Sequence, residues 1–379
     1  MTALNQILTV SSAQQPGAIV RVGGAAISGW VSWSVSNNSY YEADTFSVSF
    51  ATSKLPAANN VNWFSQQTEI FVEVLAGFPS NQLNPDASQL TSLIYGRVDD
   101  IECDAGQTLL TLTGRDLTAA FIDKKLADEY WNKKAYQVVD ALAASHGLTA
   151  NVTPTSTKIG TYYNNEQVRM QANRSEWDFI AWLAREEGFV AYITGKTLYF
   201  GPDPRDTDNP YVIQWTPPND AQGAPSANVT ELRFSRSFTV AKGISVVVRS
   251  ASLTSNTPVV QSYPGAGKTI QAGKASPFGS AQTYYFNATS GLTPVQAQQL
   301  AENKYNEIVS HAMKIEGAMP ADLILGVNTP LRVVGTGTAY DQIYFPRLVT
   351  RRMSADEGFT MEFAAQNTTP ELEAAADAL

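Results

Sequence analysis

Cysteine and histidine are scarce in this chain. Cys103 is the only cysteine among 379 residues, which excludes an internal disulfide and a thiolate metal cluster. The two histidines, His146 and His311, lie near the ends of predicted helices, where the helix dipole favours a capping role over catalysis or metal binding. We therefore expect no catalytic residue, no metal and no cofactor. Cys103 is expected to be a half-buried strand residue, and no local motif supports the alternative of a nucleophile beside either histidine.

Long apolar runs and positive charge are scarce as well. No run approaches the ~18 apolar residues of a membrane span, and the N-terminus lacks the basic start and apolar block of a signal peptide. With 26 basic and 35 acidic residues the formal net charge is −9, which argues against binding nucleic acid through clustered Lys and Arg. We predict no membrane span, no sequence-specific nucleic-acid binding and assembly in a cytosol.

The first third of the chain has the pattern of β-strands. A hydrophobic fraction of 44% is ample for two or three packed domains. The alternation in TFSVSF at 45–50 places three apolar residues on one face, and the other predicted strands span 30–35, 69–75, 93–101 and 108–113. Residues 1–114 are therefore predicted to form a small β-barrel. The polar loop at 79–92 is a candidate contact element.

The pattern becomes helical after Gly114. An apolar stripe at helical spacing begins at Ala135, and the segment from Ser175 to Pro202 is typical of a capped helix that leads into a β-hairpin. Ser175 is the expected N-cap with Asp178 as its partner, and Gly188 is the expected left-handed C-cap. We predict a small α/β domain over 115–201, inserted between two other parts.

The last part returns to β-type runs. Residues 202–228 are rich in Pro and Asp and are predicted to be a connector. Residues 229–367 are predicted to be a second β-barrel domain with one helix, which starts at the capping box of Thr293 and ends near His311. A long loop at 252–282 is a second candidate contact element, and 368–379 is an acidic tail. The fold class is thus α+β, mostly β, with two similar small β-barrel domains around an inserted α/β domain.

Two stretches indicate an internal repeat. GRVDDIECDAGQTLLTL (96–112) and PRLVTRRMSADEGFTMEF (346–363) both have a strand, an acidic turn with Gly-x-Thr, and a second strand, so that Gly106 corresponds to Gly358. The stretches 66–75 and 327–336 precede them in the same order. A chance match of two hairpins remains the alternative.

Several patterns resemble chemical sites but have a more ordinary reading. PGAGKTIQAGK (264–274) ends like a phosphate-binding loop, but Ser262 stands where that motif needs Gly, and no helix follows. The adjacent carboxylates Asp99-Asp100 and Glu186-Glu187 do not face a common bond, as a glycosidase would require. We expect Trp177 and Trp182 to be core residues rather than stacking platforms. Four lysines are expected to form a solvated helical face offset by Asp123, Asp128 and Glu129: Lys124, Lys125, Lys133 and Lys134.

The helix-hairpin segment resembles the tail baseplate hub proteins of contractile bacteriophages, which include the late control D proteins and the hub part of type VI secretion spike proteins. The matching pattern is the capped helix, its EEGF exit and the hairpin that ends in LYFG. The resemblance implies a structural virion protein rather than an enzyme. It implies a homotrimer in which two similar barrels per chain make a pseudo-sixfold ring.

The resemblance also implies partners. They are the tail tube protein, the central spike protein and other baseplate proteins, with the tape measure protein as a further candidate, and assembly takes place in the host cytoplasm. The partner-binding residues are unknown at this stage. We expect the acidic first domain to line a channel for DNA or cargo. Two other hypotheses stay open: a hub that also degrades peptidoglycan, and a carbohydrate-binding module.

Overall fold

The computed structural model describes residues 4–5, 15–81, 84–126, 130, 133–156, 174–218, 223–237, 244–252, 257–265, 282–288, 291–309 and 313–367. Five helices are numbered here in chain order: α1 (Val61–Ser65), α2 (Thr118–Asp123), α3 (Ala135–Ser145), α4 (Glu176–Glu187) and α5 (Pro294–Val309). The strands of the first half and the middle are β1 (Gly17–Val22), β2 (Ala25–Ala26), β3 (Trp30–Asn38), β4 (Thr45–Ala51), β5 (Phe71–Gly77), β6 (Thr91–Asp104), β7 (Leu109–Asp116), β8 (Thr149–Val152), β9 (Val190–Thr194) and β10 (Thr197–Gly201). The strands of the last part are β11 (Tyr211–Thr216), β12 (Ser226–Ala227), β13 (Glu231–Arg236), β14 (Ile244–Ser250), β15 (Val259–Tyr263), β16 (Gln282–Asn287), β17 (Met313–Pro320), β18 (Leu331–Val334), β19 (Ile343–Ser354) and β20 (Gly358–Gln366).

Most strands belong to one sheet of 14 strands that contains both halves of the chain. Its main path is β12-β11-β18-β19-β3-β4-β7-β6-β5-β1-β2, and β20, β17 and β13 extend from β19 in that order. The halves meet where β3 pairs with β19, from Ser32 opposite Ser354 to Asn38 opposite Leu348. The predicted strands of the first third are confirmed as β3 to β7.

The two halves follow the same path through this sheet. The first half has the neighbours β3-β4-β7-β6-β5, and the second has β13-β17-β20-β19-β18. Both hairpins carry a bulge at the same place, between Val98 and Asp100 in β6 and between Pro346 and Leu348 in β19. Because a bulge is a specific local feature and not a general property of strands, the shared position supports the repeat that the sequence indicates.

The equivalence of the turns differs from the one that the sequence predicts. In the first hairpin the residue with positive φ is Thr108 (57°), and in the second it is Gly358 (70°). Gly358 therefore matches Thr108 in backbone conformation, not Gly106. The sequence alignment favoured Gly106 because glycine is the usual residue in this conformation.

The apolar residues of both halves form one continuous core. It contains Trp33, Val35 and Leu112 from the first half as well as Val349 and Phe363 from the second. One sheet and one core thus extend through both halves, and the division into two separate barrels stays a prediction.

The predicted connector needs a correction. Strand β11 lies inside 202–228 and pairs in parallel with β18. Tyr211 and Ile213 of this strand are buried in the shared core. Strand β1 has no counterpart among the predicted strands either, although it pairs with β5 along its whole length.

The middle unit has a core of its own. Helices α2, α3 and α4 pack on the three-stranded sheet β8-β10-β9. The capped helix is confirmed: Ser175 Oγ accepts from the Asp178 amide at 3.0 Å, Asp178 Oδ2 accepts from the Ser175 amide at 3.1 Å, and Gly188 ends α4 with φ of 67°. The unit begins directly after β7, so its position is fixed by the first half.

A third core lies within the predicted second barrel. Helix α5 packs on the sheet β15-β14-β16 through Val246, Val248, Ala301 and Tyr305. Strand β15 also lies inside the stretch predicted as the long loop 252–282, so that prediction is wrong for 259–263. No helix in the described part of the chain is long and apolar enough to cross a membrane.

Candidate assembly surface

Eight neighbouring strands form a continuous surface with one apolar and one polar face. In order they are β6, β7, β4, β3, β19, β20, β17 and β13. The apolar face packs on the shared core. One row of directly paired residues on the polar face consists of Asp100, Thr113, Ser47, Ser34, Arg352 and Thr360. We call this side the polar face.

The polar face differs in chemistry between the halves. In the first half it consists mainly of hydroxyl groups, and Ser49 is bonded to Thr111 at 3.0 Å. In the second half it carries charges, with Arg352 paired to Glu362 at 2.5 Å. Ser36 Oγ and Thr350 Oγ1 lie 2.9 Å apart across the junction of the halves. Hydroxyls and paired charges leave a wettable face without an apolar patch.

The outer edges of these eight strands lack strand partners in the described residues. Strand β5 pairs with β6 up to Arg97, and the Val98 amide still donates to the Ile70 carbonyl at 2.9 Å. Residues 99–104, with the sequence DDIECD, extend beyond this pairing and are exposed. At the opposite end, β13 pairs with β17 on one side. Unpaired strand edges are templates for pairing with another chain.

A cluster of aromatic and charged side chains fixes the middle unit to both halves. Arg205 accepts two aromatic neighbours, Tyr40 at 5.1 Å and Phe345 at 4.5 Å from the ring centroids. Asp203 binds Arg205 and accepts the Tyr40 hydroxyl at 2.8 Å. Tyr40 also stacks on Tyr192 of β9. The cluster therefore joins the β3–β4 turn, the middle unit and β19.

Tyr41 anchors the same turn from the other side. Its φ is 75°, unusual for a bulky residue. Its amide donates to Ala191 O, its hydroxyl donates to Phe189 O at 2.6 Å, and its carbonyl accepts from Trp177 Nε1 at 2.7 Å. Burial raises the pKa of Tyr41 to about 12, against the opposing effect of Arg185. The sequence gives no signal for this junction, since its partners are about 150 residues apart.

Two carboxylates lie close together where β4 and β7 meet the middle unit. Asp44 accepts from the Asn38 amide at 2.7 Å and from Asn37 at 2.8 Å, whereas the buried Asp116 accepts from the Thr118 amide and hydroxyl. Burial raises the pKa of Asp44 to about 6. Burial and, secondly, the charge of Asp44 raise the pKa of Asp116 well above its usual range. Both residues line a cavity of about 260 Å³, and spacing in the sequence gave no sign of the pair.

The predicted cysteine and histidine roles have different outcomes. Cys103 is exposed, not half-buried, because its strand extends past its neighbour β5. His146 ends α3 as predicted, and its Nε2 also lies 2.5 Å from Oε2 of the buried Glu176. The other oxygen of Glu176 binds Lys124 at 2.8 Å. Both carboxylate oxygens are thus occupied in holding α2, α3 and α4 together. His311 lies outside the described residues.

The other candidate residues have structural contacts. Asp99 accepts two hydrogen bonds from Arg115, at 2.6 and 3.0 Å, and Asp123 binds Arg97 and Arg115 instead of the lysines. Trp177 is buried and Trp182 is half-buried against Phe179, in agreement with a core role.

The remaining candidates are exposed, peripheral or undescribed. Lys133 lies over the Tyr130 ring and Lys134 is the N-cap of α3. Glu186 and Glu187 lie in the last turn of α4. The Gly-Lys-Thr motif at 267–269, Asp128 and Glu129 lie outside the described residues, as does most of 264–274. In the described ranges, no group of three or more His, Cys, Asp or Glu could hold a metal ion.

Comparison with known proteins identifies the family. The model of the phage tail baseplate hub (GPD) family matches residues 86–350, which is more than half of the chain. The chain belongs to the phage tail baseplate hub family. It is a structural phage protein of the baseplate, and no curated protein matches it.

Solved structures share the fold at low sequence identity. The tail protein from Neisseria meningitidis MC58 is 14% identical with a TM-score of 0.65, over 94% of this chain and 99% of that one. The 43 kDa tail protein of prophage MuSo2 from Shewanella oneidensis is 13% identical with a TM-score of 0.63, over 93% and 98%. The E. coli c3393 protein, a component of the type VI secretion system, is 11% identical with a TM-score of 0.50, over 93% and 77%.

Proposed function

We propose that this hub protein forms a homotrimeric, pseudo-sixfold ring that connects the tail tube to the central spike and leaves a channel for DNA or cargo. The observation that carries the proposal is the repeated strand path of the two halves and their direct side-by-side pairing through β3 and β19. Three chains with two equivalent halves each supply six similar positions around one axis. Such a ring adapts a sixfold tube to a threefold spike.

The dimensions of the eight-stranded surface fit a channel. Three copies of eight strands, about 4.8 Å apart and tilted by ~40°, give a closed barrel with a backbone diameter of about 50 Å. This exceeds the ~10–12 Å of an α-helix with its side chains several-fold. A duplex or a folded rod can therefore pass.

The chemistry of the polar face supports passage rather than binding. Its hydroxyl groups carry no charge, and exposed acidic residues of β6 repel phosphates. The channel wall thus has few groups that would hold an anionic polymer. Replacing Asp100 and Glu102 by Asn and Gln is expected to slow DNA ejection, and unchanged ejection would count against this role of the wall.

The partners follow from the ring. The proposed contacts are the tail tube protein on one side, the central spike protein on the other, and further baseplate proteins, with the tape measure protein as a candidate in the channel. The role is non-enzymatic, and assembly takes place in the host cytoplasm. The exposed loop 79–92 remains a proposed contact element.

The oligomeric state tests the proposal. Native mass spectrometry of the chain, alone and co-expressed with its spike protein, is expected to give a mass three times that of the 41.0 kDa chain in the hub. A chain that stays monomeric in both preparations would rule out the ring.

A further inference from the structure

We infer that residues 99–104 of β6 pair, antiparallel, with β13 of a second copy of this chain, in a register that places Asp104 opposite Arg233 and Cys103 opposite Phe234. The inference rests on the proposed trimer and specifies which strands close it. It repeats between chains the β19–β3 pairing that the structure shows within one chain.

The shared bulge fixes the correspondence of the first strand. Asp100 follows the bulge in β6 and Leu348 follows it in β19. Counting from these residues, Cys103 corresponds to Arg351 and Asp104 corresponds to Arg352. Within the chain, Arg351 is paired with Val35 and Arg352 with Ser34.

Registered pairs across the sheet fix the correspondence of the second strand. In the first half, Asp100 leads through Thr113 and Ser47 to Ser34. In the second half, the equivalent residue Leu348 leads through Ala364 and Glu316 to Arg233. Arg233 thus corresponds to Ser34, and Phe234 corresponds to Val35. The pairs Asp104–Arg233 and Cys103–Phe234 follow directly.

Burial of the equivalent residues supports the pairing. Val349 in β19 is 0% exposed, whereas its counterpart Ile101 in β6 is 39% exposed. Val35 is likewise 0% exposed, and its counterpart Phe234 is only half-buried. A neighbouring strand covers the residues of the first kind and is lacking for the others. Pairing between copies would bury apolar surface on both sides.

Charge supports the choice of a second copy as the occupant. The β6 edge carries Asp99, Asp100, Glu102 and Asp104, and β13 carries Arg233 and Arg236. The Arg233 side chain is 78% exposed and lies only 3.8 Å from Glu231. The same acidic edge repels a second β6, so that β6 selects a basic strand and a head-to-tail ring instead of a twofold dimer.

The single native cysteine provides the test. Under copper-phenanthroline oxidation, Phe234→Cys is expected to give disulfide-linked dimers and trimers, because directly opposed antiparallel residues have Cβ atoms about 4.5–5.5 Å apart. The links should disappear with reductant and in the Cys103→Ser background. Ser235→Cys, whose side chain points to the other face, is the matched control and should give no link.

A charge swap covers the case in which Phe234→Cys does not fold. Asp104→Arg and Arg233→Asp, both at exposed positions, are each expected to raise the concentration for half-trimerisation by about tenfold, and the double variant should restore it. A trimer without the 103–234 link and without charge rescue overturns the register but keeps the proposed function. A chain that is monomeric even with its spike protein overturns both.

Discussion

The two hairpins β6–β7 and β19–β20 share strand order and bulge position but differ in what lies beside them. Strand β19 is covered by β3 of the same chain, and Arg351 and Val349 are buried. Strand β6 extends beyond its neighbour, and Cys103 and Ile101 are exposed. The same architecture thus tolerates a buried arginine in one half and an exposed cysteine in the other. Equivalent position in a repeat does not imply equivalent energetics.

The largest expected effect comes from breaking the buried half of this comparison. Arg351 donates from Nε to Asp322 O at 2.8 Å and from a terminal nitrogen to Leu325 O. Arg351→Ala would leave both carbonyls without this donor and create a cavity, so we expect a loss of about 3 kcal/mol in the free energy of unfolding.

Urea denaturation measures this loss. The matched control is Cys103→Ala at the equivalent position, which should change the free energy of unfolding by less than about 0.5 kcal/mol because the side chain is exposed. Similar losses in both variants would contradict the account.

A second contrast concerns a buried acid that the other half replaces by an amide. The Asp116 amide donates to Asp44 O, and at the equivalent place the Asn367 amide donates to Met313 O. Asp44 and Asp116 have raised pKa values, so the fold disfavours their ionised forms. Their contribution to stability is therefore full below about pH 4 and is lost as the pH rises through about 6.

Asp116→Asn makes the first half resemble the second. Relative to wild type, we expect the variant to gain roughly 2 kcal/mol in the free energy of unfolding between pH 4 and pH 7. The difference between the two denaturation series isolates this pair, because Asp123 and Asp203 have lowered pKa values that affect both proteins alike. Parallel curves would show that the pair is not ionised against its environment.

The turns give the smallest effect, with opposite signs in the two halves. Thr108 has a left-handed conformation that costs a β-branched residue energy, whereas Gly358 has it without strain. Thr108→Gly should raise the melting temperature and Gly358→Thr should lower it, each by an amount that corresponds to about 1 kcal/mol. Differential scanning calorimetry of both variants checks this, and changes of the same sign would contradict the equivalence of the two turns.

Local sequence signals predicted the elements well where one segment determined its own structure. The N-cap at Ser175, the C-cap at Gly188 and the alternation in 45–50 are all confirmed, because capping and strand patterns involve residues close in sequence. Strand β11 was missed because its burial depends on β18, more than 100 residues later.

The assembly surface could be predicted only in outline. The repeat of the hairpins was visible in the sequence, but the register between β3 and β19 was not, since nothing in either strand specifies its partner. The junction of Tyr40, Tyr41 and Arg205 and the pair Asp44–Asp116 also depend on contacts between distant segments. Such sites follow from the fold and not from motifs.

The central claim is that the two halves are equivalent positions in one ring. The most direct test is the rotational symmetry of the hub assembled with its spike, measured by cryo-electron microscopy without imposed symmetry. The account predicts a strong sixfold component at low resolution that becomes threefold once the charged and hydroxyl-rich halves are distinguished. A ring without a sixfold component, or a hub with a single chain, would contradict it.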